Sequence, residues 1–456
     1  MTALADRLLM PFDERYEPAR LAAIWNGRKT TRRPAAIVHA RDASDVQAAV
    51  RLAAHNGWRV SIRSGGHSWV ATGVRDDALL LDLSGMNEIT LEVDNARATL
   101  QPAAQGVALN ALLAQNGLAF PTGHCPSVGV GGFLLGGGYG WNSRKLGPAC
   151  MSVDAIDVVL ADGSLVHATD ETHPDLMWAA RGSGPGFFGV ITRYYVRLHP
   201  GYDQVLRSVL VVPEEVRDEA LAWSYDVLPE TSRSLEIAGK VAYTPGVARP
   251  TTSLIAVGFC RDETPEQVFA AFENCPLRDK AITLVDRAPT SIAELYAFTE
   301  VGMPQGRRYA VDGVWTSATA RDILQRGAPI LDTVPNAESF LFWMLWGHYP
   351  QQPQACWSTQ GELYFSPNSV WSDPAEDLPM EQWAHSSLAA FADIDLGTQF
   401  SDANPGDRPA KGIEPEPAAR IDRLRQHYDP DSRFASYLQP SESTTALGQH
   451  LRAAGQ

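Results

Sequence analysis

The chain has 456 residues, with 53 acidic against 38 basic side chains and a net charge of −15, which argues against nucleic acid or an anionic membrane surface as partner. That length exceeds what one core comfortably fills, so two domains or one bilobal body are expected. Cys125, Cys150, Cys260, Cys275 and Cys356 are odd in number and widely spaced, which is neither a disulfide framework nor a zinc pattern; no stretch is long enough to span a bilayer and no signal-peptide design opens the chain, so a soluble, cytoplasmic protein without metal is expected.

Trp25-Asn26-Gly27 reads as a surface turn and residues 34–39 as a strand. Residues 42–56 read as a helix: Ser44 and Gln47 fit a capping box, Val46, Ala49, Val50 and Ala53 share a face, and Gly57 suits the position past its end. A strand at 58–62 delivers the turn Arg63-Ser64-Gly65-Gly66-His67-Ser68. Consecutive N–H groups in such a turn form a nest for phosphate oxygens. Gly65 and Gly66 permit positive φ and close backbone approach, and Arg63 offers a fixed charge suited to a diphosphate. No G-x-G-x-x-G opens a helix here, which weakens a nicotinamide reading.

Residues 78–83, 88–93 and 96–101 read as short strands, and 107–116 as a helix ended by Gly117. A second glycine-rich stretch follows, from Pro121 through Gly123-His124-Cys125-Pro126-Ser127-Val128-Gly129-Val130-Gly131-Gly132. Between 131 and 140 the glycine density is too high for regular structure and suggests backbone laid against a planar ligand. Strands at 152–160 and 165–168 flank an Asp162-Gly163 hairpin turn, and 170–181 reads as a helix.

Beyond about residue 200 the texture changes. Strands are expected at 205–212, 235–243, 253–260, 339–346 and 361–371, and helices at 213–228, 264–273 and 380–391. This pattern predicts an antiparallel sheet covered by helices. Trp315, Trp343, Trp346, Trp357, Trp371 and Trp383 read either as core or as a face that holds a flat apolar substrate. Residues 402–417 read as a linker and 418–427 as a helix.

The two glycine stretches, with Gly136-Gly137-Gly138-Tyr139-Gly140 after them, resemble the flavin-binding domain of the vanillyl-alcohol-oxidase superfamily, more narrowly the berberine-bridge-enzyme-like oxidases. Arg181-Gly182-Ser183-Gly184-Pro185-Gly186-Phe187-Phe188-Gly189-Val190-Ile191-Thr192 and Tyr428-Asp429-Pro430-Asp431-Ser432-Arg433-Phe434 extend the likeness, which covers 34–200 and 418–440 and fades between. It implies an α+β, two-lobed protein: a PCMH-type FAD-binding domain over 1–203, a substrate-binding domain over 204–410, and a C-terminal return over 411–456. It implies FAD held covalently, its 8α-methyl on His67 and its C6 on Cys125. The rest of that cofactor site would be Arg63, Ser64, Gly65, Gly66, Ser68, Gly123, Val128, Gly129, Gly132, Gly137, Gly138, Tyr139, Trp141, Gly189, Val190 and Tyr437. Val128 would flank the ring where molecular oxygen arrives, and a small residue there favours oxidase behaviour.

The proton acceptor is where the chain departs from the family. Many relatives carry an Asn-Tyr-x-Asp segment whose tyrosine is the base; here the match is Gln399-Phe400-Ser401-Asp402, and Phe400 takes no proton. Others use a glutamate near a Pro-His-Arg motif, which is absent. Glu362, Tyr364 and His348 are the ionisable groups on or beside the two long strands, with Glu362 and Tyr364 on one face by alternation; Tyr139 and Tyr437 are further candidates. The expected activity is an FAD-dependent oxidase that takes hydride from an alcohol or amine-type small molecule, aromatic, glycosidic or polyketide-like, and reduces O2 to H2O2. A dehydrogenase of the same fold with a non-oxygen acceptor and a non-catalytic flavin-carrying binding protein stay open. Substrate identity and oligomeric state are not legible.

Overall fold

A computed structural model of the protein describes residues 4, 6–350, 352 and 354–454. Its first layer is a four-stranded sheet in the order Leu8–Leu9, Ala36–His39, Ala78–Asp82, Arg59–Arg63. The last three strands run parallel, joined through helix Ala43–His55. That helix is capped by Asp42, whose carboxylate accepts from the Asp45 N–H at 3.0 Å. Ser44, read above as the cap, instead donates its hydroxyl to Asp42. The helix's apolar face, Val46, Ala49, Val50 and Ala53, is buried on Val38, Val60, Leu79 and Leu81. The strand Arg59–Arg63 is thereby fixed, and with it the glycine turn at its end.

A second, five-stranded antiparallel sheet follows, ordered Ile89–Glu92, Arg97–Leu100, Val190–Arg197, Val153–Val159, Leu165–Thr169. Helix Gly106–Gln115 and the glycine stretches pack against it. Residues 131–140 contain more regular structure than expected. Val130–Leu135 forms a short helix because Val130 and Leu134 are buried in that core, which offsets the poor propensity of its glycines.

The third sheet has eight strands drawn from residues 204–371. It runs Thr283–Thr290, Gln204–Val212, Pro250–Cys260, Leu235–Tyr243, Phe340–Leu345, Leu363–Trp371, Arg308–Val311, with Val314–Thr316 also pairing on Leu363–Trp371. Every pairing is antiparallel. On one face Ile237, Val241, Trp343 and Phe365 pack into a core shared with helices Arg217–Asp226, Pro265–Glu273 and Ala320–Leu331.

The opposite face turns toward the first two layers. There Tyr309, Phe340 and Val370 meet Trp25 and Trp69, and Trp315, Trp346 and Tyr364 meet Tyr139. Trp343 and Trp371 are core, as one of the two readings holds. The strand Thr283–Thr290 and the helices Ile292–Gly302 and Ala320–Leu331 have no counterpart in the sequence reading.

Two further readings are corrected. Trp25-Asn26-Gly27 is not a surface turn: Asn26 is buried, and its side-chain amide bonds Tyr309 N, Tyr309 O and Trp69 O at 2.9–3.0 Å, joining the lobes. The stretch 402–417 does not stay irregular to its end, because helix Pro415–Tyr428 begins within it. Past that helix the chain returns to the first sheet, where Val60 bonds both Arg433 O and Ala435 N. Asp429 holds this return by accepting the N–H groups of Arg433 and Phe434.

Candidate active site

The two glycine stretches lie against each other, backbone on backbone. A Cβ on Gly65 would stand 2.6 Å from Gly129 N, so no larger residue fits without moving a loop. Gly66 takes a φ of +74° and lies under the Ala23 carbonyl, which explains the glycine at that position. Across the seam the His67 Nε2 and Ser127 Oγ are 3.0 Å apart, and the Gly132 N–H donates to Ser64 Oγ at 3.3 Å. His67 and Cys125, the latter two residues before Ser127, therefore stand on the two loops that face each other across this seam, the groove between them.

The His67 ring stacks on Trp25 at 4.9 Å. Burial, with Arg63 adding to it, lowers the His67 pKa to about 4, so the ring is neutral near pH 7. The Ser127 backbone also bonds the imidazole, whereas the Cys125 sulfur has no hydrogen-bond partner among the described residues. Burial pushes the Cys125 thiol up to about 11, with Glu300 contributing. Arg63 is not free for a diphosphate, because its guanidinium pairs with Asp82 at 3.0 Å. Ser68 is tied to Thr72.

The remaining cofactor candidates divide. Gly123 packs against the Phe133 ring and Val128, whereas Gly132 is exposed with open space where a Cβ would stand. Trp141 meets the His124 ring edge-on at 4.3 Å. Gly137 and Gly138, at φ of +102° and +81°, make room for the Trp357 and Phe133 rings. Gly189 and Val190 are packed in the second sheet, against Val158 and its neighbours.

The catalytic candidates also separate. Glu362 and Tyr364 do not act on one face. Glu362 precedes the paired part of the strand, and its carboxylate accepts from Tyr225 on the helical side, at 2.7 Å. It lines a separate cavity of about 400 Å³ with His348, Arg144 and Arg233, and no glycine-loop residue borders that cavity. Tyr139 accepts from Trp357 Nε1 at 2.7 Å and donates to Thr359 O; burial raises its pKa. Tyr437 donates to Ser183 O at 2.9 Å and stacks on Phe400. Both hydroxyls are already committed.

Tyr364 differs. Its hydroxyl donates to Asp402 Oδ2 at 2.6 Å, while Asp402 Oδ1 accepts from Trp69 Nε1 at 2.9 Å. Trp69 is two residues past His67, so this pair is tied to the chain that carries the glycine turn. Burial raises the pKa of both groups. Asp402 is visible in the sequence only as the last residue of Gln399-Phe400-Ser401-Asp402; its tyrosine comes from the strand instead of the segment. Sequence reasoning also passes over His124, which has no hydrogen-bond partner among the described residues, its pKa lowered to about 4 by burial. It passes over Glu236 as well, which burial raises to about 7 although the backbone of Asn142, Arg144 and Ser143 bonds it.

Residues 34–169 match the model of an FAD-binding domain. Over its length the chain is similar to the FAD-linked oxidoreductase janO of Penicillium janthinellum, 29% identical over 92% of this chain and 94% of that one. Its fold is similar to that of BBE-like 1 of Physcomitrella patens, with a TM-score of 0.83, 18% identity, and coverage of 98% of each chain. It is also similar to 6-hydroxy-D-nicotine oxidase of Arthrobacter nicotinovorans, with a TM-score of 0.82, 24% identity, and coverage of 94% of this chain and 97% of that one. The matched FAD-binding domain and the end-to-end likeness to an FAD-linked oxidoreductase mark this chain as an FAD oxidoreductase, and its two-lobed fold is the one seen in the berberine-bridge-enzyme-like structure.

Proposed function

We propose that the protein is an oxidase whose FAD is bonded to both His67 and Cys125 and whose substrate is a flat alcohol or amine-type small molecule. The observation that carries this reading is the pair of abutting loops bearing a neutral imidazole and a thiol with no hydrogen-bond partner among the described residues. The exposed backbone at Gly132 suits a planar ring laid along it. Bound there, FAD would supply an acceptor for the electron pair of a C–H bond next to oxygen or nitrogen.

The chain's own residues orient and deprotonate. Tyr364 is the residue proposed to take the substrate's O–H or N–H proton while passing its own to Asp402 Oδ2, 2.6 Å away. Trp69 fixes Asp402 from the other side. Val128 is the small residue proposed to leave room for O2, with H2O2 as product. We place the division at 203 and 410, which keeps all eight strands of the third sheet, residues 204–371, in the middle piece and leaves the outer pieces as the flavin lobe; the ends of those pieces, residues 1 and 456, lie outside the described residues. The other four cysteines, Cys150, Cys260, Cys275 and Cys356, are free thiols, which fits a reducing, cytoplasmic setting.

The test is denaturing electrophoresis followed by mass analysis of flavin peptides. Wild type is expected to carry one flavin joined to two peptides, and His67→Ala or Cys125→Ala to keep one bond. Complete release of flavin from wild type by acid refutes the double linkage. Fast reoxidation by O2, with peroxide formed, separates an oxidase from a dehydrogenase.

A further inference from the structure

The sheet face that meets Trp25 and Trp69 carries a cation without a counter-charge among the described residues. The chain has five lysines. Lys145, Lys280 and Lys411 reach carboxylates, and Lys29 reaches the Ile24 carbonyl. Lys240 has no hydrogen-bond or carboxylate partner among the described residues. Its Nζ lies 4.2 Å from the centre of the Phe340 ring, and burial lowers its pKa with no carboxylate offsetting the effect.

Its position is set by the strand. Val241 points into the helical core and Gly239 packs there on Trp343, so Lys240 emerges on the opposite face. Its cross-strand partner is Phe342. Phe342 and Met303 belong to the aromatic cluster of Tyr309, Phe340, Trp25 and Trp69, and Trp25 stacks on His67. Glu236, the nearest acid along the strand, is four residues away, roughly 13 Å. A ring face is a weak partner for a half-buried ammonium compared with an acid oxygen.

We propose that Lys240 is the specificity residue of this groove and that the substrate is a flat apolar molecule bearing a carboxylate. The apolar body lies on Phe342, Met303 and Trp69, and the carboxylate takes the Lys240 N–H groups. This assignment rests on the groove being the substrate site of the oxidase proposed above.

The test is calorimetric titration of the holoenzyme with 2-naphthoate and with its neutral isostere 2-naphthamide. Wild type is expected to prefer 2-naphthoate; Lys240→Met is expected to weaken it at least about tenfold, leave 2-naphthamide within about twofold, and Lys240→Arg to restore the preference. Wild type that binds the two alike or does not bind 2-naphthoate, or a methionine variant that weakens both equally or neither, overturns the proposal. Calorimetry does not depend on the flavin linkage. Discrimination by Lys240 together with acid-released flavin would uphold this assignment and remove only the double attachment.

Discussion

Replacing Tyr364 by phenylalanine deletes one hydroxyl from a closely packed pair. The lost contact is a 2.6 Å bond to a carboxylate. Bonds to charged groups contribute about 1.5–3 kcal/mol, and Asp402 keeps Trp69 Nε1 and Ser401 Oγ as donors; a loss near the lower end, about 1.5 kcal/mol, is expected in chemical denaturation. The kinetic effect is larger, because a positioned base contributes about 10²–10⁴-fold. Anaerobic stopped-flow reduction of the flavin by substrate reads that step, with bound flavin quantified in denaturant. Asp402→Asn is expected to slow reduction by a similar factor, and the double variant to be no worse than either single one, since the two act as a unit. Reduction by Tyr364→Phe within about threefold of wild type refutes the assignment.

Other outcomes follow from the groove. Ser127→Ala removes the 3.0 Å partner of His67 Nε2 and is expected to lower the fraction of flavin on the His67 peptide while the Cys125 peptide stays labelled, as peptide mass analysis reports. Gly65→Ala would press a methyl to 2.6 Å from Gly129 N; overpacking of this kind costs about 1–3 kcal/mol, and both a lower melting temperature and poorer flavin loading are expected. Glu236 has its pKa raised from 4.5 to about 7 by burial, so the folded state binds the extra proton. Stability from this group is full below about pH 4.5 and falls as the pH rises to about 7, by at most about 3 kcal/mol. Glu236→Gln is expected to flatten that slope in denaturant titrations, and an unchanged slope would count against it.

The glycine turn and the cysteine stretch were legible because their roles are local: backbone conformation and close approach are written in the glycines themselves. The same holds for the C-terminal return, where Asp429 bonds the chain four and five residues on. Tyr364 was legible as one candidate among five, but its pairing with Asp402 was not, because the two are 38 residues apart and meet only when the third sheet is built. Alternation placed Glu362 beside Tyr364, but it fails one residue before the ladder begins, where Glu362 is free to turn toward Tyr225. Arg63 looked available until Asp82, brought alongside by parallel pairing, claimed it. Lys240 gave no local signal, since an unpaired charge is defined by neighbours that come from other strands.

Asn26 acts as a rivet between the lobes. One buried amide engages both faces of the seam, holding Tyr309 by its N–H and carbonyl and Trp69 by its carbonyl. Parting the two halves at that point would first have to break both bonds to Tyr309 and leave a buried amide unsatisfied.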